Sequence, residues 1–344
     1  MKKNWLLLIV FVSLAAVAFW LWRGNTGSTL TDSLSDFAIA DTARIDRIFI
    51  ADKKGKSVDL RRVGNEWTVN GLPANEFPIR TLLKTFIRVE VKTPVPKSMQ
   101  TNVLKAMSTL AVKVEIYTGG DEPEKIWWVG HGTPDHFGVF CVLEKPDVGR
   151  SESPFVLGMS AFTGMINTRF HTHLDDWRST DVAIFPDVNR ITSVQVEHPS
   201  TDSAGYTLKN DMGKLTLADA QGLELPMDTT IAQDVMMHMR NAHFEYFERT
   251  FNKTQQDSTK ASKPWHILTI NTADGTSTRI PFWKKQPYPG ERNAEMVLLV
   301  NDVDRMHAVV NDTALVVVQR YWFDRMVPFL GQIRWHPSQG AAKP

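Results

Sequence analysis

The sequence predicts an α+β protein: a single N-terminal transmembrane helix followed by two homologous repeats, each a mainly antiparallel sheet with a packed amphipathic helix. Three observations predict it. An uncharged run, apolar at every position but Ser13, fills Trp5 to Trp22. The remainder of the chain repeats its own strand pattern once, in the same order. Within each copy, short alternating strands cluster around a helix of 3.6-residue periodicity, the pattern of an antiparallel sheet covered on one face.

The apolar run sets the topology. Eighteen helical residues span about 27 Å, close to the ~30 Å hydrocarbon core. Trp5 at one end and Trp20 and Trp22 at the other occupy interfacial positions. Lys2, Lys3 and the amino terminus outweigh Arg23, which puts residues 1–4 in the cytoplasm as a short stub and the rest of the chain outside the inner membrane. Ala16-Val17-Ala18 also fits a signal-peptidase site, but cleavage there would leave Phe19-Trp20-Leu21-Trp22 as the mature start. The continuous apolar length favours an uncleaved signal anchor over residues 5–22. Residues 23–41 are small and polar and read as a flexible tether, and residues 337–344 as a disordered tail.

The chain has 344 residues, enough for about two domains of ~150 residues. Hydrophobic residues make up 42% and charged residues 22%, an ordinary globular balance. A net charge of +1 excludes nucleic-acid wrapping, which needs a strong basic excess. The single cysteine, Cys141, excludes an internal disulfide and any cysteine-based zinc site.

The duplication defines the ectodomain. Asp36-Phe37-Ala38-Ile39 recurs as Asp181-Val182-Ala183-Ile184, and Arg44-Ile45 with Ile48 and Ile50 recurs as Arg190-Ile191 with Val194 and Val196. Val58 and Leu60 answer to Tyr206 and Leu208, and Trp67-Thr68-Val69 to Leu215-Thr216-Leu217. Further on, Val114 and Ile116 answer to Leu268 and Ile270, and Val139–Val142 to Val297–Val300. The offset grows slowly, as small loop insertions would make it. Repeat 1 is placed at 42–172 and repeat 2 at 176–336. Each opens with three short strands. A helix follows, with Ile79, Leu82, Leu83, Phe86 and Ile87 as one apolar stripe in the first copy and Thr229 to His243 as its counterpart. Three more strands come next, and a short helical piece closes each copy, near 160–170 and 321–330.

On these residues the chain resembles the bacterial domain-of-unknown-function 4340 family. The resemblance lies in the single anchor, the opening strand Arg44-Ile45-Asp46-Arg47-Ile48-Phe49-Ile50, the strand Asn65-Glu66-Trp67-Thr68-Val69 before the amphipathic helix, and the junction Trp177-Arg178-Ser179-Thr180. It covers residues 42–330. It implies a membrane-anchored extracytoplasmic protein of unassigned activity, similar to auxiliary components of gliding-type ABC transporters, and it defines no catalytic residue.

Catalytic signatures are absent from the sequence. Gly130-His131-Gly132-Thr133-Pro134-Asp135 begins like a dinucleotide loop but has Asp135 at the third glycine and strands on both sides. Gly158-Met159-Ser160-Ala161-Phe162 lacks the second glycine of a nucleophile elbow. His171 and His173, with Asp175 and Asp176 close by, form the one metal candidate, because alternate residues of an extended segment point the same way; a solvated junction between repeats is the plainer alternative. Met236-Met237-His238-Met239 would suit Cu(I), but helical spacing splits it between faces, as core packing would. Trp127 and Trp128 present one ring on each face of a strand, and Tyr321 and Trp322 sit on a short helix; these four are the candidate partner contacts. Residues 253–263 read as a polar surface loop.

The expectation is therefore a non-enzymatic, cofactor-free binding or scaffolding subunit of an envelope assembly in the inner membrane, its ectodomain in the periplasm. Its partners would be membrane or periplasmic protein subunits, of an ABC-type transporter or of a gliding or secretion machinery. The rival is a periplasmic metal-handling protein or metal-dependent hydrolase built on His171, His173 and Asp175.

Overall fold

A computed structural model of the chain describes Ser13, residues 34–310 and residues 314–335. Apart from Ser13, the expected anchor at 5–22 lies outside the described residues, as do the stub at 1–4, most of the tether and the tail. Among the described residues no helix is long and apolar enough to cross a membrane. The chain is α+β and divides into two compact units, the first ending at Ser179 and the second beginning at Thr180.

Unit 1 contains β1 (Arg47–Ala51), β2 (Ser57–Val63), β3 (Glu66–Val69), β4 (Leu72–Pro73), α1 (Glu76–Arg88), β5 (Val89–Pro94), α2 (Lys97–Leu110), β6 (Val112–Tyr117), β7 (Lys125–Gly132), β8 (Val139–Lys145), β9 (Gly149–Arg150), β10 (Phe155–Met159) and α3 (Leu174–Trp177). Its sheet runs β4-β3-β2-β1-β6-β7-β8-β10-β5, with β9 paired to β8. Unit 2 contains β11 (Asp181–Ala183), β12 (Ile191–Glu197), β13 (Tyr206–Asp211), β14 (Lys214–Asp219), β15 (Glu224–Leu225), α4 (Thr229–His238), β16 (Ala242–His243), β17 (Tyr246–Phe247), α5 (Lys253–Ala261), β18 (His266–Thr272), β19 (Ser277–Lys284), β20 (Arg305–Val309), β21 (Leu315–Gln319), α6 (Arg320–Phe323) and α7 (Leu330–Ile333). Its large sheet runs β15-β14-β13-β12-β18-β19-β20-β21-β17. The two orders are the same circuit: strand for strand, β1 corresponds to β12, β6 to β18, β7 to β19, β8 to β20, β10 to β21 and β5 to β17.

Register follows from side-chain alternation. On β1, Ile48 and Ile50 point inward and are paired on one side with Leu60 and Val58, on the other with Ile116 and Val114. Arg47 points outward and donates to Asp59 at 2.7 Å. Helix α1 starts where the Asn75 side chain accepts from the Phe77 amide, with Pro78 in the first turn, where its missing N–H costs nothing. Ile79, Leu82 and Phe86 of α1 meet the inward face of the sheet, while Ile87, at the margin of the expected stripe, is exposed. Cys141 is buried on this face and its thiol pKa is pushed up by burial.

Several expected boundaries are corrected. The tether ends earlier than residue 41, because Phe37 and Ile39 belong to the first core. Phe37 packs edge-on against Trp127 and Phe155, with ring centroids 5.7 and 5.8 Å apart, and Ile39 donates its amide to the Phe86 carbonyl. Repeat 1 extends past 172 and repeat 2 starts after 176: Trp177 is buried in the first core and donates its indole N–H to the His171 carbonyl, and Ser179 still bonds Pro73. The helix expected at 229–243 stops at His238, after which β16 pairs with β11. Residues 253–261, expected as loop, form helix α5, closed by a capping box between Asn252 and Gln255. Helix α2 has no counterpart in the sequence reading, since its Lys, Ser, Gln and Thr content weakens the apolar period. Val297–Val300 is not a strand; β20 occupies that place in the circuit.

The tether correction is testable. Phe37→Ala removes a ring that touches two core aromatics and is expected to cost roughly 3 kcal/mol, within the usual range for buried Phe truncation. Chemical denaturation measures it, and a change near zero would return Phe37 to a solvated tether.

Candidate functional site

The residues singled out in the sequence meet different fates. Trp127 is corrected as a contact residue: it is fully buried, ringed by Phe37, Phe86 and Phe170, with centroids of 5.7, 5.1 and 6.0 Å. Trp128 does face the opposite side of the sheet. It is half-buried, its indole N–H donates to Glu144 at 2.8 Å, and Lys53 and Arg150 lie over its ring at 4.8 and 4.7 Å. Tyr321 is 73% exposed with Arg325 over its ring, whereas Trp322 is half-buried, packs against the second core and donates to the His238 carbonyl.

His171 and His173 do come together, their ring centroids 5.7 Å apart. His171 stacks on Trp177 at 4.9 Å, and Asp175 pairs with Arg178 at 3.2 Å. Among the described residues no group of three or more His, Cys, Asp and Glu side chains is placed to hold a metal ion. In the Met236-Met237-His238-Met239 run, Met236 and Met239 are buried in the core and Met237 is exposed.

A cluster of exposed apolar residues lies elsewhere. Between β19 and β20, residues 285–304 replace the short 133–138 turn that joins β7 and β8. The segment folds on itself: Asn293 exchanges backbone bonds with Val297 and Met296, its side chain caps the Glu295 and Val297 amides, and Leu299 bonds back to Glu291. The tip then presents Met296, Val297, Leu298 and Val300, between 55% and 79% exposed. Its base is fixed by a buried ion pair, Lys285 to Asp302 at 3.2 Å. Burial opposes ionisation of Asp302, but the Asp304 and Arg305 amides and the Lys285 ammonium outweigh it and hold the carboxyl below the usual range. Five consecutive apolar residues, 296–300, read as a strand in sequence; the turn-forming Gly290, Asn293, Asn301 and Asp302 around them are the signal for a projection.

Sequence spacing also missed a buried histidine pair. His198 and His266, far apart in the chain, meet across β12 and β18 with their Nδ1 atoms 2.6 Å apart. Burial lowers both pKa values; the like charge of His198 adds to the effect on His266, which is held down to about 3. No family model, curated protein or solved structure matches the chain.

The histidine pair predicts acid sensitivity. A histidine whose folded pKa is depressed binds its proton more readily when unfolded, so its stabilisation is complete above the unfolded value of roughly 6.5 and is lost as pH falls from there towards the folded value of about 3. Denaturation midpoints should therefore decline below pH ~6.5 and decline less steeply in His266→Gln. Equal pH profiles for the two proteins would show that the pair titrates as it does in the unfolded chain.

Proposed function

We propose that the chain is a non-enzymatic, single-pass inner-membrane protein whose periplasmic ectodomain binds partner subunits, as an accessory or scaffolding component of an envelope assembly of the ABC-transporter, gliding or secretion kind. The observation that carries this reading is the apolar projection at 296–300. Monomers rarely expose clustered apolar side chains without using them, and this cluster is mounted on an internally hydrogen-bonded loop with a buried ion pair at its base. An anchor at residues 5–22 would hold the projection near the membrane and raise its effective concentration towards a membrane partner. Tyr321, also exposed, supplies an aromatic contact. The resemblance carried by the opening strand and the Trp177–Thr180 junction supports the same class of role.

Cross-linking in intact cells, followed by mass spectrometry of what co-purifies with the full chain, tests the reading. The expected result is a reproducible set of membrane subunits whose recovery drops about tenfold in a Val297→Asp/Leu298→Asp/Val300→Asp variant with an unchanged denaturation midpoint. Recovery of the chain alone, or of the same set by the variant, would overturn it.

A further inference from the structure

The two repeats use one helix position in opposite ways. In repeat 1, α2 covers the sheet face opposite α1 and fills it: Val103, Met107 and Ala111 are buried with Phe140 and Val142. Gly130 makes the room, since a Cβ there would stand 2.9 Å from Met107 Cγ. In repeat 2 the corresponding helix, α5, has the sequence Lys-Thr-Gln-Gln-Asp-Ser-Thr-Lys-Ala and buries no residue. Strand pairing aligns the positions beneath it. Val112 pairs with Val129 and Val129 with Cys141, as His266 pairs with Phe282 and Phe282 with Ala308. His307 therefore stands in the place of Phe140, and Trp283 in the place of Gly130.

The result is a cleft of about 430 Å³ in repeat 2 at the place where repeat 1 is solid. That volume is in the range of small-molecule sites. Its walls combine two indoles, Trp265 and Trp283, with hydroxyls of α5 and with Lys263 and Lys284; none of the described residues lining it is Asp or Glu. The walls are held in place. Trp283 donates its indole N–H to the Ser262 carbonyl at 3.0 Å, at the end of α5. Trp265 has Lys284 Nζ 4.9 Å and Arg320 Cζ 5.0 Å from its ring centre, so positive charge lies close to the ring. His307, almost fully buried, has Nε2 3.0 Å from Glu248 and the Phe251 ring 5.1 Å away. The Glu248 carboxylate is thus engaged with His307 and with the Thr250 hydroxyl and amide.

We propose that this cleft binds a small organic anion with a flat apolar body, the body against Trp265 and Trp283 and the carboxylate or equivalent oxyanion against Lys284 and Lys263. Flat aromatic walls favour a ring or conjugated chain, and two ammonium groups with no opposing carboxylate in the lining favour negative charge at its end. The cleft borders the base of the 285–304 segment at Gln286, but the residues tested here, Lys263, Trp265, Trp283 and Lys284, lie outside 296–300, so this reading and the partner-binding one can fail separately.

An isosteric charge series tests it: cinnamate, cinnamamide and cinnamylamine, titrated into the full chain, solubilised in a neutral detergent and labelled with fluorotryptophan, with fluorine resonances assigned by single Trp→Phe variants. Cinnamate is expected to shift the Trp265 and Trp283 resonances saturably and to bind about tenfold tighter than the amide or the amine. Lys263→Gln/Lys284→Gln should abolish that preference while the remaining tryptophan resonances keep their positions. The absence of a saturable shift by any of the three at about 10 mM, equal affinities across the series, or a preference that survives the double lysine change would each overturn the proposal.

Discussion

Each repeat depends on one long-range antiparallel ladder. In the first, Arg47–Ala51 pairs with residues 113–117; in the second, Ile191–Glu197 pairs with 267–272. These ladders join an N-terminal meander to a C-terminal one that is separated from it by two helices. Once they form, Ile48 and Ile50, or Val194 and Val196, become the centre of a sheet rather than its edge, and the first helix of each repeat has a continuous apolar face to cover. Closing so long a loop before its contacts form makes such topologies slow to fold, so the bulk and alternation of these four residues matter more than their number suggests.

The meanders were legible because strand alternation and Gly or Asn turns are local signals, and the duplication because two copies of one weak pattern reinforce each other. Helix α1 was legible from its apolar stripe. What stayed hidden depended on partners distant in sequence. Phe37 looks like part of a polar tether until Trp127 and Phe155 are beside it. Trp127 and Trp128 alternate as expected, but only the fold shows that an aromatic box takes the first and that the second lies under Lys53 and Arg150. His198 and His266 carry no shared motif, and the polar sequence of α5 hides a helix because its stability comes from a capping box rather than an apolar stripe.

The two copies differ most on one face. Inward positions stay largely apolar apart from the buried pair of His198 and His266, whereas the opposite face is filled by Met107 and Phe140 in repeat 1 and left open around His307, Trp265 and Trp283 in repeat 2. The same repeat carries the long 285–304 insertion next to that opening. A duplicated fold gives freedom of this kind: the first copy retains a closed second core, and the second trades that packing for polar groups, held in place by caps and ion pairs such as Lys285 with Asp302.

Tandem copies with one strand order face a hazard during synthesis, since β7 of the first could zip onto β18 of the second and exchange hairpins between them. The residues at the matching position oppose it. Trp127, paired with Val114, fills an aromatic box, while its equivalent, paired with Leu268, is the smaller Ile280. An exchanged strand would force an indole into space shaped for isoleucine and leave the box around Phe37, Phe86 and Phe170 partly empty. Overpacking and cavity formation each cost on the order of 1–5 kcal/mol. The difference in bulk at a single central position thus acts as an address that keeps each half's strands in its own sheet.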